Sequence, residues 1–142
     1  ALDRGLTSVA VTYTNNDYGK GLADVFEASF TSGGGTITTV ASHEDGKADY
    51  SAEVGTLDAS GAGVLAVFGY VDQGGRHMIQ TSIDSGAFDK FILADGMYGD
   101  TLLKNIDGDI WGMLPTSISH NDPTGRAVQM GFGDMSLYVS AW

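Results

Sequence analysis

Three polar turns in this chain each follow an apolar run and carry groups able to hold a ligand. Asn15, Asp17 and Tyr18 come after the first run, Tyr70, Asp72 and Gln73 after the third, and Asp95, Gly96 and Tyr98 after the fourth. Tyrosine offers an apolar face and a hydroxyl on one side chain. A partly buried carboxylate needs a cation. Gathered on one rim, two or three tyrosines and a carboxylate describe a pocket for a small ligand with apolar and ammonium parts. The other reading of the same residues is that Tyr18 and Tyr70 only pack helices against a sheet, and on residue type alone the two stand level.

Other chemistries fail where their mechanisms are strictest. Gly19-x-Gly21 follows a strand, and Glu44 and Asp45 lie about 20 residues on, as a dinucleotide fingerprint asks. The third glycine is replaced by Asp24, which would turn negative charge toward a pyrophosphate. A phosphoacceptor domain would want a lysine closing the fifth strand, which instead ends Leu114-Pro115. His43, His77 and His120 lack ligand spacing and read as surface histidines. No serine sits in a Gly-x-Ser-x-Gly elbow. "NIDGDIWG" (105–112) lacks the spaced oxygens of a calcium loop. With no cysteine there is neither a thiol nucleophile nor a disulfide. The expectation is a protein that is not an enzyme, with no cofactor and no metal.

Elements that could position the three turns follow from periodicity. "TSVAVTY" (7–13) is β-branched and nearly continuous in apolar character, as a central parallel strand is. Leu22, Val25, Phe26 and Phe30 recur at helical spacing between Gly19 and Thr31, and "SGGG" (32–35) stops that helix. Strands are predicted at 36–41, 64–70, 90–95 and 109–115. Asp49 is a candidate N-cap for a helix from Tyr50 to about Ala59, with Val54 and Leu57 on its core face. A further helix carries Met78, Ile79 and Ile83 and stops at Ser85-Gly86. A short helical piece is expected to end at Ile106, and another helix over 124–131, while "MSLYVSAW" fits either strand or helix. This βα alternation predicts an α/β domain, three-layer and open. Its mostly parallel five-stranded sheet has the flavodoxin-like order 2-1-3-4-5 and helices on both faces. In such sheets ligands bind beyond the carboxyl ends of the strands, at the switch point between strands one and three.

The 142 residues amount to one domain. Eighteen acidic against seven basic residues give a net charge of −11, which repels phosphate backbones and argues against nucleic acid. No apolar run approaches the roughly 20 residues of a membrane span. "ALDRGLTSVAV" lacks a signal peptide's layout and reads as the middle of a longer chain entering a strand, so any export signal is expected upstream.

Four segments carry a family resemblance: "NNDYGKGLADVFEASFTSGGG", "GKADYSAEVGTLDASGAGVLAVFGYVDQGGRHMIQ", "FILADGMYGD" and "IDGDIWGMLPTSISHNDP". In order and spacing they resemble type I periplasmic substrate-binding proteins over residues 7 to 123, in particular the branched-chain amino acid (Leu/Ile/Val) receptors of ABC transporters. The resemblance implies one lobe of a two-lobe receptor, the second lobe only. Residues 1–142 would then be a single α/β lobe and a fragment, with 124–142 poorly matched. The expected partners are an amino acid-like small molecule, the missing first lobe and the transporter's membrane subunits, in a periplasmic or otherwise extracytoplasmic setting. The implied ligand-binding residues are Tyr18 of the Tyr-Gly turn, Tyr70, Asp95 with Gly96, and Tyr98. Asp95 would pair with the ligand's ammonium where leucine-type receptors usually have glutamate. Met97 and Tyr98 replace small residues and could reshape the side-chain pocket. The expected function is capture of an amino acid or related small amine for import. A sensory ligand-binding domain of the same fold is the alternative, and a nucleotide-cofactor enzyme of flavodoxin-like fold ranks third.

Overall fold

Strands apolar at every position need cover on both faces, and the architecture follows from that requirement. A computed structural model of the chain describes residues 1–97, 102, 109–112, 128–132 and 135–138. Its strands are β1 (Ser8–Thr14), β2 (Thr36–His43), β3 (Leu65–Phe68), β4 (Lys90–Leu93), β5 (Asp109–Gly112), β6 (Val128–Phe132) and β7 (Met135–Tyr138). Its α-helices among the described residues are α1 (Asp17–Ser32), α2 (Ser51–Asp58) and α3 (Gly75–Ser85). The sheet order is β2-β1-β3-β4-β5-β6-β7. All pairs are parallel except β6 with β7. The expected order 2-1-3-4-5 is therefore present and extended by two strands.

Side chains along β1, β3 and β4 alternate between two cores, as the two-residue strand period requires. Val9, Val11, Val64, Ala66, Phe68, Ile92 and Ala94 meet Ala23 and Phe30 of α1. Ala10, Leu65, Val67, Phe91 and Leu93 meet Val54 and Leu57 of α2 and Met78 and Ile79 of α3. The 3₁₀ turns Val71–Gln73 and Asp95–Met97 follow β3 and β4 directly. Because the strands run parallel, their carboxyl ends and the turns after them meet on one rim.

Helix α1 starts where Asn16 Oδ1 accepts the Gly19 N–H at 2.9 Å. Gly19 must lack a side chain, because a Cβ there would press into the Thr14 backbone. The glycine of the turn thus serves close packing of α1 on β1. Gly34 ends the helix with φ +93°, a left-handed conformation suited to glycine. Helix α2 begins at Ser51, and Asp49 Oδ1 accepts both the N–H (3.0 Å) and the hydroxyl (2.6 Å) of Ser51.

Several expectations are corrected. Val25 is 66% exposed; the buried stripe of α1 is Gly19, Ala23 and Phe30. Residues 128–131 form strand, not helix, and 135–138 resolve to strand. His43 is not on the surface: it ends β2, two residues beyond the predicted strand, and is 1% exposed. Met97 lies in the core against Gly75 rather than on the rim. The helical piece toward Ile106, residues 113–115 of strand five and His120 lie outside the described residues, as does Tyr98.

Candidate ligand-binding site

Each predicted rim residue that is described lies at the carboxyl end of a strand. Tyr18 sits in the first turn of α1, and β2, α2 and β3 separate it in sequence from Tyr70, which follows β3. Asp95 and Gly96 form the 3₁₀ turn after β4. Parallel pairing of β1 with β3 and of β3 with β4 brings the three turns together.

The Tyr18 and Tyr70 rings stack with centroids 4.9 Å apart and planes 20° from parallel. The Tyr18 hydroxyl donates to Asp95 Oδ1 at 2.9 Å and accepts the Gly96 N–H at 3.1 Å. Asp95 is exposed, while Tyr18, Tyr70 and Gly96 are half-buried. Burial, and then the hydrogen bond to the Asp95 carboxylate, push the Tyr18 phenol up to about 12. It is therefore a neutral donor at any ordinary pH. The arrangement offers a two-ring apolar wall with a carboxylate at its edge, which suits an apolar group bearing a cation.

A second polar group borders this rim, and residue patterns did not reveal it. His43 Nδ1 is hydrogen-bonded to the Thr12 hydroxyl at 2.8 Å. Its ring meets Tyr50 edge-on at 6.1 Å. Nε2 lies under Gly69, 3.2 Å from where a Cβ would stand, one residue before Tyr70. His43 Nε2, Asp45 Oδ1 and Glu53 Oε2 are buried and take no hydrogen bond from the described residues. Burial holds the His43 imidazole below its usual value, against the opposing pull of Asp45, Glu53 and Glu44. Nearby, Asn15 Nδ2 donates to Glu44 Oε1 at 2.6 Å, and the Gly46 N–H donates to the Gln73 carbonyl at 2.6 Å. The loop after β2 is thereby joined to the turns after β1 and β3. The sequence signal for His43 was its place opposite Thr14 once β2 is extended.

Among the described residues no group of three or more His, Asp or Glu side chains could hold a metal ion. A hollow between α2 and α3 is lined in part by Ser51, Val54, Asp58 and Thr81.

The chain matches the family described as periplasmic binding protein over residues 1–135. The chain belongs to the periplasmic binding protein family. Over 67 residues, 47% of its length, this periplasmic binding protein is 43% identical to the Leu/Ile/Val-binding protein homolog 3 of Brucella melitensis, of which the match spans 18%. A solute-binding protein of an ABC transporter from R. palustris, solved with 4-hydroxybenzoate, is similar in fold with a TM-score of 0.67 and 19% identity. The likeness covers 74% of this chain and 29% of that one. A leucine-binding protein from Thermotoga maritima is similar with a TM-score of 0.59 and 23% identity, over 72% of this chain and 29% of that one. The periplasmic binding protein described here therefore spans under a third of the length of these relatives. Its fold is that of a type I periplasmic binding protein lobe.

Proposed function

We propose that this chain is the second lobe of a solute-binding receptor for an ABC importer, and that it captures an amino acid or related small amine against a further lobe. The observation that carries this reading is the Tyr18–Tyr70 stack with Asp95 at its edge, set at the β1/β3 switch point. Family membership and the Brucella relative support it. The site residues are Tyr18, Tyr70, Asp95 and Gly96, with Tyr98 beside them in sequence. The rings line the apolar part of the ligand and Asp95 meets its ammonium group. Capture and release proceed by closure of two lobes, so bond-making residues are not required. An extracytoplasmic setting and membrane subunits of a transporter as partners go with this reading.

The test is calorimetric titration of the full-length receptor with leucine, isoleucine, valine and 4-hydroxybenzoate. An amino acid should bind, and Asp95→Asn should weaken it by the ~1.5–3 kcal/mol of a charge-assisted contact. Binding of 4-hydroxybenzoate alone, indifferent to Asp95→Asn, would remove the amine from the proposal. The lobe by itself leaves Asp95 in water, where a charge pair at about 4 Å is worth roughly 1 kcal/mol. Amino acids should therefore bind this chain only in the millimolar range or weaker.

A further inference from the structure

Tyr18 spends its one hydroxyl proton on the protein. A phenol has one proton to donate. That proton goes to Asp95 Oδ1, and one lone pair takes the Gly96 N–H. While these bonds stand, Tyr18 has nothing to donate to a ligand. Its partners lie 77 and 78 residues away in sequence. Gly96 permits the approach. A Cβ at that position would stand 2.6 Å from the Tyr18 hydroxyl oxygen and 2.5 Å from the Gly69 carbonyl oxygen. The turns after β1 and β4 thus meet at one phenol oxygen. Of the two Asp95 carboxylate oxygens, it is Oδ1 that takes the Tyr18 proton.

We infer that Tyr18 is a positioning residue for Asp95: its hydroxyl pins Oδ1 and turns Oδ2 toward a cationic ligand group, with Gly96 as the clearance that makes the bond possible. This deepens, and rests on, the reading of the rim as the ligand site. The role differs from that of a wall. A wall needs only the ring, whereas this role needs the hydroxyl. An exposed carboxylate on a short, rotatable stem would otherwise have to be ordered by the ligand itself, which lowers affinity. Burial and then the Asp95 bond raise the Tyr18 phenol, which favours the protonated form that donates.

The experiment has two arms. In the first, the 142-residue chain is labelled with 13Cζ-tyrosine and its phenols are titrated by NMR. One resonance should titrate near 12 and vanish in Tyr18→Phe. In Asp95→Asn, which keeps the shape and removes the charge, that resonance should titrate at lower pH. A Tyr18 phenol whose titration is indifferent to Asp95→Asn overturns the inference. In the second arm, L-leucine is titrated into the full-length receptor carrying Tyr18→Phe, Asp95→Asn or both. Tyr18→Phe should weaken binding about three- to tenfold, the scale of one hydrogen bond. It should cost nothing further once Asp95 is already asparagine. Additive losses would mean that Tyr18 acts on the ligand directly and would overturn the inference. If L-leucine fails to bind the unaltered receptor, the functional reading fails, and the phenol titration still decides whether Tyr18 holds Asp95.

Discussion

Tyr50 and Tyr18 use the same chemistry in two settings. Each hydroxyl donates one hydrogen bond and accepts one backbone N–H, and each approaches a glycine too closely for a side chain there. Tyr50 is fully buried. It donates to the Glu44 carbonyl at 2.8 Å and accepts from the Lys47 N–H at 3.3 Å, partners six and three residues away. Lys47 also lies 5.8 Å from the centre of its ring and pairs with Glu53. Tyr18 is half-exposed, and its partners are distant in sequence and include a charged side chain. Tyr50 closes its own loop and is shielded from any solute. Tyr18 ties two loops together where water and solutes reach. The contrast teaches that a phenol's contribution is set by what its partners could otherwise do. Main-chain groups near in sequence have only solvent as an alternative, while Asp95, in the function proposed above, has a ligand.

The largest effect that would break this comparison is on stability. Tyr50→Ala should cost ~3–5 kcal/mol in urea unfolding, as other large-to-small aromatic deletions in cores do. Tyr18→Ala should cost only about 1–2 kcal/mol, a ring stack and a hydrogen bond, while weakening ligand binding in the full-length receptor. Equal stability losses would make Tyr18 an ordinary packing residue. Next comes Gly74→Ala. Gly74 has φ +140° and abuts the Tyr50 hydroxyl, so an alanine there combines backbone strain with a clash. A loss of about 1–3 kcal/mol is expected on thermal unfolding, with no change in how a ligand binds.

A smaller effect concerns pH on the Tyr50 side. Burial depresses the His43 imidazole, so the folded state binds fewer protons than the unfolded chain. Unfolded histidine titrates at about 6.5. The stability from neutral His43 is complete above that pH and is lost as the pH falls through it toward the folded value. Urea unfolding from about pH 7.5 to about pH 5.5 should show a steeper decline in the parent than in His43→Gln. Parallel declines would show that His43 is not held neutral. The smallest effect is Lys20→Ala. Lys20 pairs with Asp24 one helical turn away, but the two side chains are 61% and 58% exposed, and such pairs are worth little. Unfolding midpoints should coincide within error.

Much of the fold was legible because the chain punctuates itself. Strands β1 to β4 and all three described α-helices were placed within a few residues, since continuous β-branched runs and glycine stops each have a single local reading. Legibility ended where burial is decided at a distance. Val25 fits the helical period, yet α1 turns Gly19, Ala23 and Phe30 to the sheet, because Gly19 must fit against Thr14. His43 looked like loop because its burial comes from β1, Gly69 and Tyr50. The helix expected over 124–131 gives way to strand at 128–131, where pairing with β5 and β7 outweighs local propensity. The grouping of Tyr18, Tyr70, Asp95 and Gly96 was legible from strand order and the switch-point rule. The bond from Tyr18 to Asp95 was not, since it depends on distances that no residue pattern contains.

Strand register also orders the events of folding. Pairing β1 with β2 joins Ser8 to Thr36, and pairing β3 with β4 joins Leu65 to Phe91. Pairing β1 with β3 joins Ala10 to Leu65, across roughly twice as many residues. A doubling of loop length adds only ~0.6 kcal/mol of closure entropy, so the cost to final stability is slight. For the sequence of assembly the consequence is larger, because distant contacts form late in chains of this topology. A molecule in which β1 and β3 have not yet met holds two βαβ halves, one carrying Tyr18 and the other carrying Tyr70, Asp95 and Gly96. The rim comes into being only when those halves join, so refolding followed through the Tyr18–Tyr70 stack should report the slowest step of the parallel core.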